Sequence, residues 1–174
     1  MRNTTPLVDV VMQPIRLRII EQIGAGRMTT SELRRALPDI PTATLYRHVA
    51  ALVDAEILAV VEERKVRGAV ERTLALGGRD AHVGHDELRD IDGEKLRQAF
   101  LTFLAHLAEK FDSTVDLDEP GARDFLGFGM TQLHVSTEDL AEIQRGLGEL
   151  IAPYLSAGGE GRRTVTFSTA LLPA

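Results

Sequence analysis

The chain has 174 residues, enough for one ordinary domain or two small ones, each with a modest core. Its 44% hydrophobic and 26% charged residues are ordinary for a soluble globular protein, and the absence of cysteine excludes disulfides, thiolate metal sites, redox switching and cysteine nucleophiles. The net charge of −6 hides an asymmetry, since residues 1–78 hold 11 Lys+Arg against 9 Asp+Glu whereas residues 79–174 hold 9 against 17, so only the first part is suited to approach a polyanion.

From the amino end, MRNTTPLVDVVMQP is broken by Asp9 and lacks the uninterrupted apolar core of a signal peptide. No later apolar run approaches membrane-spanning length, and a cytoplasmic location is the expectation. Residues 14–23, PIRLRIIEQI, predict a helix: proline is tolerated in a first turn, and Leu17, Ile20 and Ile23 make an apolar stripe. Gly24, Ala25 and Gly26 end it. Thr29 and Glu32 then have the spacing of a capping box, opening a short helix to about Leu37 that buries Leu33 and Leu37. The turn Pro38, Asp39, Ile40, Pro41 follows, because both prolines oppose continuing the helix, and Ile40 is expected to plug the core.

Residues 42–54, TATLYRHVAALVD, predict a helix with two different faces. Leu45, Val49 and Leu52 recur at helical spacing as a buried stripe, while Ala43, Tyr46, Arg47 and Ala50 fall on or beside the opposite side. Small residues around one arginine suit a helix that enters a groove about as wide as itself. Arginine donates two parallel hydrogen bonds to guanine or phosphate, which makes Arg47 the leading contact. His48 lies nearer the buried stripe and is expected to pack or to position a phosphate, and Tyr46 reads equally well as a partly buried aromatic. Next, ILAVVEER (57–64) and VERTLAL (70–76) read as two strands around a turn containing Gly68, with Arg64, Lys65 and Arg67 at the tip. Two helices across a short turn, followed by such a hairpin, make a helix-turn-helix with a wing.

The run from Pro14 to Leu76, through PIRLRII, TTSELRRALPDIPTATLYRHVAALVDAEIL and RKVRGAVERTLAL, resembles the ArsR-type winged-helix transcription regulators, especially their helix-turn-helix-20 branch. The resemblance implies that Thr42, Thr44, Tyr46, Arg47 and His48 lie on or beside a helix that reads double-stranded DNA, with Lys65 and Arg67 on the wing. The chain lacks the cysteine pair with which arsenic-responsive members bind metalloid, so soft-metal sensing is not implied. The alternative for this region is a winged helix used for protein contacts without DNA, since fold alone does not fix function.

Residues 77–92, GGRDAHVGHDELRDID, are polar and glycine-containing and read as a connection between lobes. His82, His85 and Asp86 within it have weak metal-ligand spacing and are read as solvated, so no metal site is expected. From Gly93 to about Val115 runs a long amphipathic helix with Leu96, Phe100, Phe103, Leu104, Leu107 and Phe111 on one face. It suits pairing of two subunits, mainly through residues 94–115, and equally an intrachain core. After the acidic breaker 116–124, FLGFGMTQLHV (125–135) and TVTFSTALL (164–172) are predicted as strands. Between them, Ser136 to Asp139 caps a helix that Pro153 ends. Gly127 and Gly129 beside Phe125, Phe128 and Met130 suggest an apolar groove for a ligand, or an ordinary core strand. His106 and His134 read as structural or surface residues.

The expected fold is therefore α+β. A winged helix-turn-helix (1–78) and a linker (79–92) precede a dimerisation and effector region (93–174), in which the long helix leads into a small β-α-β lobe. The function this implies is that of a homodimeric, sequence-specific DNA-binding transcription regulator, a repressor tuned by a non-thiol small molecule and needing no cofactor. An enzyme fits poorly, because no glycine-rich phosphate loop, Gly-x-Ser-x-Gly elbow or helical histidine pair is present.

Overall fold

Four apolar residues near the amino end, unassigned by the sequence pattern, open the structure. Leu7–Val11 forms the short helix α1, which buries Leu7, Val8, Val10 and Val11 and packs on α2 (Pro14–Gly24) and α4 (Thr42–Asp54). A valine-rich pentapeptide has poor intrinsic helix propensity, so tertiary burial decides its state. The computed structural model describes residues 6–24, 26–66, 68–78, 88–117, 121–155 and 162–173.

On α2 the buried stripe is rotated from the expected one. Ile19 and Ile23 are fully buried, while Leu17 and Ile20 pack half-buried beside them. Period alone fixes that a stripe exists; the packing of α1 fixes which edge goes deepest. Next comes a two-residue strand, β1 (Met28–Thr29), which no residue pattern signalled. Helix α3 (Thr30–Ala36) follows, opened by the expected capping box: the Glu32 amide donates to the Thr29 hydroxyl and the Thr29 amide to the Glu32 carboxylate. Those bonds from Thr29 hold the Glu32 carboxyl below its usual range.

Strands β2 (Leu58–Val66) and β3 (Ala69–Leu76) make the hairpin, longer than its sequence reading because Lys65 and Val66 remain on the ladder opposite Val70 and Ala69. Gly68 takes the left-handed region at φ 87°, which glycine adopts without steric cost. β1 pairs with β3 through Met28 and Leu74, giving a three-stranded antiparallel sheet in the order β1-β3-β2. Beneath it Ile19, Ile23, Leu33, Leu45, Leu52, Ile57, Leu58 and Leu74 form the centre of one core, to which Leu37 and Ile40 add.

The wing is tied to the end of α4 at a tight crossing. Glu56 leaves the helix at φ 63°, and the Gly77 amide donates to the Ile57 carbonyl at 2.8 Å. A Cβ on Gly77 would stand 2.0 Å from the Glu56 carbonyl oxygen, where backbone, not a pliable side chain, is in the way. Gly77→Ala is therefore expected to cost about 1–3 kcal/mol, the usual range for overpacking. An unchanged urea midpoint would show that the crossing relaxes freely.

By its contacts the chain divides into two units, Met1–Ala108 and Glu109–Ala174. Helix α5 (Gly93–Val115) has the bounds its amphipathic pattern predicts, and the Asp92 carboxylate accepts from the Glu94 amide at its start. In the first unit Lys95 approaches Asp9 at 3.6 Å, and His106 approaches Glu21 at 3.4 Å. In the second unit a 3-10 turn (Ala122–Phe125) and helix α6 (Thr137–Ile151) are present, the helix opened by a Ser136–Asp139 capping box. A further 3-10 turn (Ala152–Tyr154) follows at Pro153.

The two strands expected in the second unit are not formed. Residues 126–136 and 162–173 are neither helix nor strand, and among the described residues no backbone-to-backbone hydrogen bond involves 127–135 or 164–173. Alternating side chains describe one edge of a ladder, but a strand exists only with a neighbour. The expected β-α-β lobe is thus not formed within one chain.

Candidate nucleic-acid interface

The turn between α3 and α4 aims the second helix. Arg18 on α2 grips Asp39 in that turn with two parallel bonds, Nη1 to Oδ2 at 2.7 Å and Nη2 to Oδ1 at 2.9 Å. The guanidinium holds the Asp39 carboxyl below its usual range. Pro41 precedes α4 without a side-chain cap, so the first amides of the helix face outward with the positive end of its dipole. Behind α4, Leu45, Val49 and Leu52 are buried. In front, Thr42, Ala43, Arg47 and Ala50 are exposed and Tyr46 is 43% exposed, with Thr44 half-buried beside them. Tyr46 therefore belongs to the outward face and not to the core.

His48 is half-buried at the edge of this face and bound from behind. Arg16 Nε donates to His48 Nδ1 at 3.2 Å, while its Nη1 donates to the Val10 carbonyl at 2.8 Å and the Asp9 carbonyl at 3.3 Å. One guanidinium thus joins the end of α1 to α4. Sequence reading missed Arg16 because the two partners lie on different elements, 32 residues apart in the case of His48. Burial, then the charges of Arg16 and Arg47, push the His48 pKa down.

This depression fixes a pH dependence. The unfolded ring regains its ordinary value of about 6.5, so below that pH the unfolded chain takes up the proton more readily than the folded one. The stability contributed by neutral His48 is whole above about 6.5 and declines as the pH falls from there toward the folded pKa. The depressed carboxyls of Glu32, Asp39 and Asp139 add a separate loss in more acid solution, below their ordinary range. Thermal melts from pH 8 to 5 should show the first decline in the wild type, and a shallower one in His48→Gln, which keeps an acceptor for Arg16 without a titrating ring. Parallel curves would remove His48 as the cause.

On the wing, Arg64 stands opposite Glu71, whereas Lys65 stands opposite Val70. On the same face as Lys65, Arg72 bonds Glu63 at 2.9 Å. Lys65 thus has no acid across the ladder, and Arg64 has one. Arg67 lies outside the described residues, as do His82, His85 and Asp86. Arg34 and Arg35, exposed in the last turn of α3, were not singled out by sequence, although they immediately precede the turn into α4. In the second unit Phe125, Phe128 and Met130 stand exposed, and a Cβ at Gly127 or Gly129 would meet open space. Among the described residues no group of three metal-ligating side chains forms, and no helix is long and apolar enough to cross a membrane.

An uncapped helix with a small-residue outer face, carried on a second helix across a tight turn and followed by a hairpin, now stands as geometry. Residues 11–61 match the family model of a helix-turn-helix domain. The match contains α2, β1, α3, α4 and the start of β2, which together hold the whole outward face of α4. A helix-turn-helix domain points to a DNA-binding regulator in general terms. No curated protein matches the chain.

Proposed function

We propose that the chain is a sequence-specific DNA-binding transcription regulator of the ArsR-type winged-helix kind, acting as a homodimeric repressor. The observation that carries the reading is the α4 face: Arg47 exposed among small residues, on the second helix of the matched domain, with Leu45, Val49 and Leu52 securing it from behind. Docking would be electrostatic, with Lys65, Arg64 and Arg67 of the wing meeting phosphates, while Thr42 and Thr44 at the start of α4 join Arg47 at base edges. Tyr46 and His48 flank Arg47, which meets base edges. Arg34 and Arg35, exposed at the end of α3, are further cations for phosphate contact.

Support for the homodimer comes from α5. It carries no fully buried residue, and Leu104, Leu107 and Phe111 on its apolar face stay exposed in a single chain. Two copies joined through residues 94–115 would set their reading helices roughly 34 Å apart, one turn of DNA. The acidic region 93–174 is where a non-thiol small-molecule effector would act, by shifting that spacing.

Fluorescence-anisotropy titration against the DNA flanking the protein's own gene, repeated over a salt series, tests the reading. Binding is expected to weaken steeply with salt, by about 10³-fold or more between 50 and 200 mM when some six phosphates are met. Absence of binding, or binding indifferent to salt, would overturn it in favour of a winged helix that contacts protein alone.

A further inference from the structure

The second unit contains two extended stretches with strand-like sequence and no strand partner. In 162–173, Val165, Phe167 and Leu171 fall on one side of a period-two alternation and Thr164, Thr166 and Ser168 on the other. In 126–136, Phe128 and Met130 share a side and are 89% and 99% exposed. Among the described residues, the backbone amides and carbonyls of 127–135 and 164–172 make none of the ladder bonds that such a sequence is built to make. An open edge beside exposed aromatic side chains is a template for another strand.

We infer that residues 126–136 and 162–173 are strands of a sheet that a second copy of this chain completes, each copy lending its edges to the other. Two observations select a second copy. First, the Arg163 guanidinium at the start of the second stretch lies 5.5 Å over the ring of Phe125, the residue just before the first, yet among the described residues no backbone bond joins 127–135 to 164–172. The partner available in the same chain is close and is not taken. Second, the open area is that of a stable dimer. Phe125, Phe128, Tyr154 and Phe167 are each more than 60% exposed. At about 150–250 Å² per aromatic side chain, and with Met130 added, they leave on the order of 800 Å² uncovered, the share one partner contributes to a standard interface. Phe128 and Met130 then become contacts between copies.

The inference rests on the homodimer proposed above for the identity of the partner, and not on DNA binding. Its test uses the full chain without DNA. Hydrogen exchange read by mass spectrometry should show the amides of 127–135 and 164–172 slowed by about 10²-fold or more relative to unstructured peptide. That protection should fade on dilution together with the dimer mass seen by light scattering. Random-coil exchange in these stretches would overturn the inference, and so would protection that persists in the monomer, which would mean pairing within one chain. Phe128→Asp and Phe167→Asp, made separately, should shift the mass to monomer while the β2–β3 amides stay protected. A dimer of unchanged strength in both variants would also overturn it. Protected, dilution-sensitive strands in a protein that binds no DNA would fail the regulator reading alone.

Discussion

Leu45→Ala is expected to cost about 2–5 kcal/mol, the range for removing a fully buried leucine whose site cannot collapse. Leu45 is completely buried beneath α4, in the core that also holds Ile19, Ile23, Leu33 and Leu52. Three elements pack against α4: α1, α2 and strand β2. None can move inward without disturbing the Arg18–Asp39 grip or the crossing at Gly77. The cavity therefore persists, and the loss adds a void to the missing transfer energy. A domain holds only about 5–15 kcal/mol in all, so the variant should unfold at a far lower urea concentration. Ala43→Ser, on the exposed side of the same helix, should stay within about 0.5 kcal/mol. Circular dichroism through a urea titration gives both values. A cost below about 1 kcal/mol at Leu45 would contradict the packing described.

Arg47→Ala has the opposite profile. Its side chain is exposed, so the fold should be untouched, while affinity for a preferred DNA site falls by about 1–3 kcal/mol and discrimination between sites relaxes. Lys65→Ala removes a wing cation that has no acid across the ladder. It should weaken all sequences alike and lower the salt slope by about one unit. Arg64→Ala should do less, because Glu71 opposite already offsets that charge. Anisotropy titrations of the three variants on preferred and random DNA separate the roles. Equal losses on both DNAs for Arg47→Ala and Lys65→Ala would refute the division between reading and docking.

Features made by neighbours in sequence were legible from sequence. The capping boxes at Thr29 and Ser136, the turn at Pro38–Pro41, the two faces of α4 and the bounds of α5 all stand where spacing and residue chemistry put them. What could not be read depends on distant partners. α1 is a helix because α2 and α4 cover it, and β1 is a strand because Leu74 and Thr73 of β3 lie alongside. Arg16 matters because His48 lies over it, and nothing in either residue's own neighbourhood says so. The stretches 125–135 and 164–172 illustrate the same rule in reverse. Their alternation is that of strands, but alternation specifies a surface and leaves open what covers it.

The bond from Arg16 to His48 also sets a direction. A guanidinium can only give hydrogen, so the Nδ1 it meets must be bare, and a neutral ring then carries its single proton on Nε2. Whatever that ring touches on its far side has to accept. A phosphate oxygen or the O6 and N7 of guanine qualifies, whereas the amino groups of adenine and cytosine are turned away. A helix behind the interface thereby limits which chemical groups the front of it can greet.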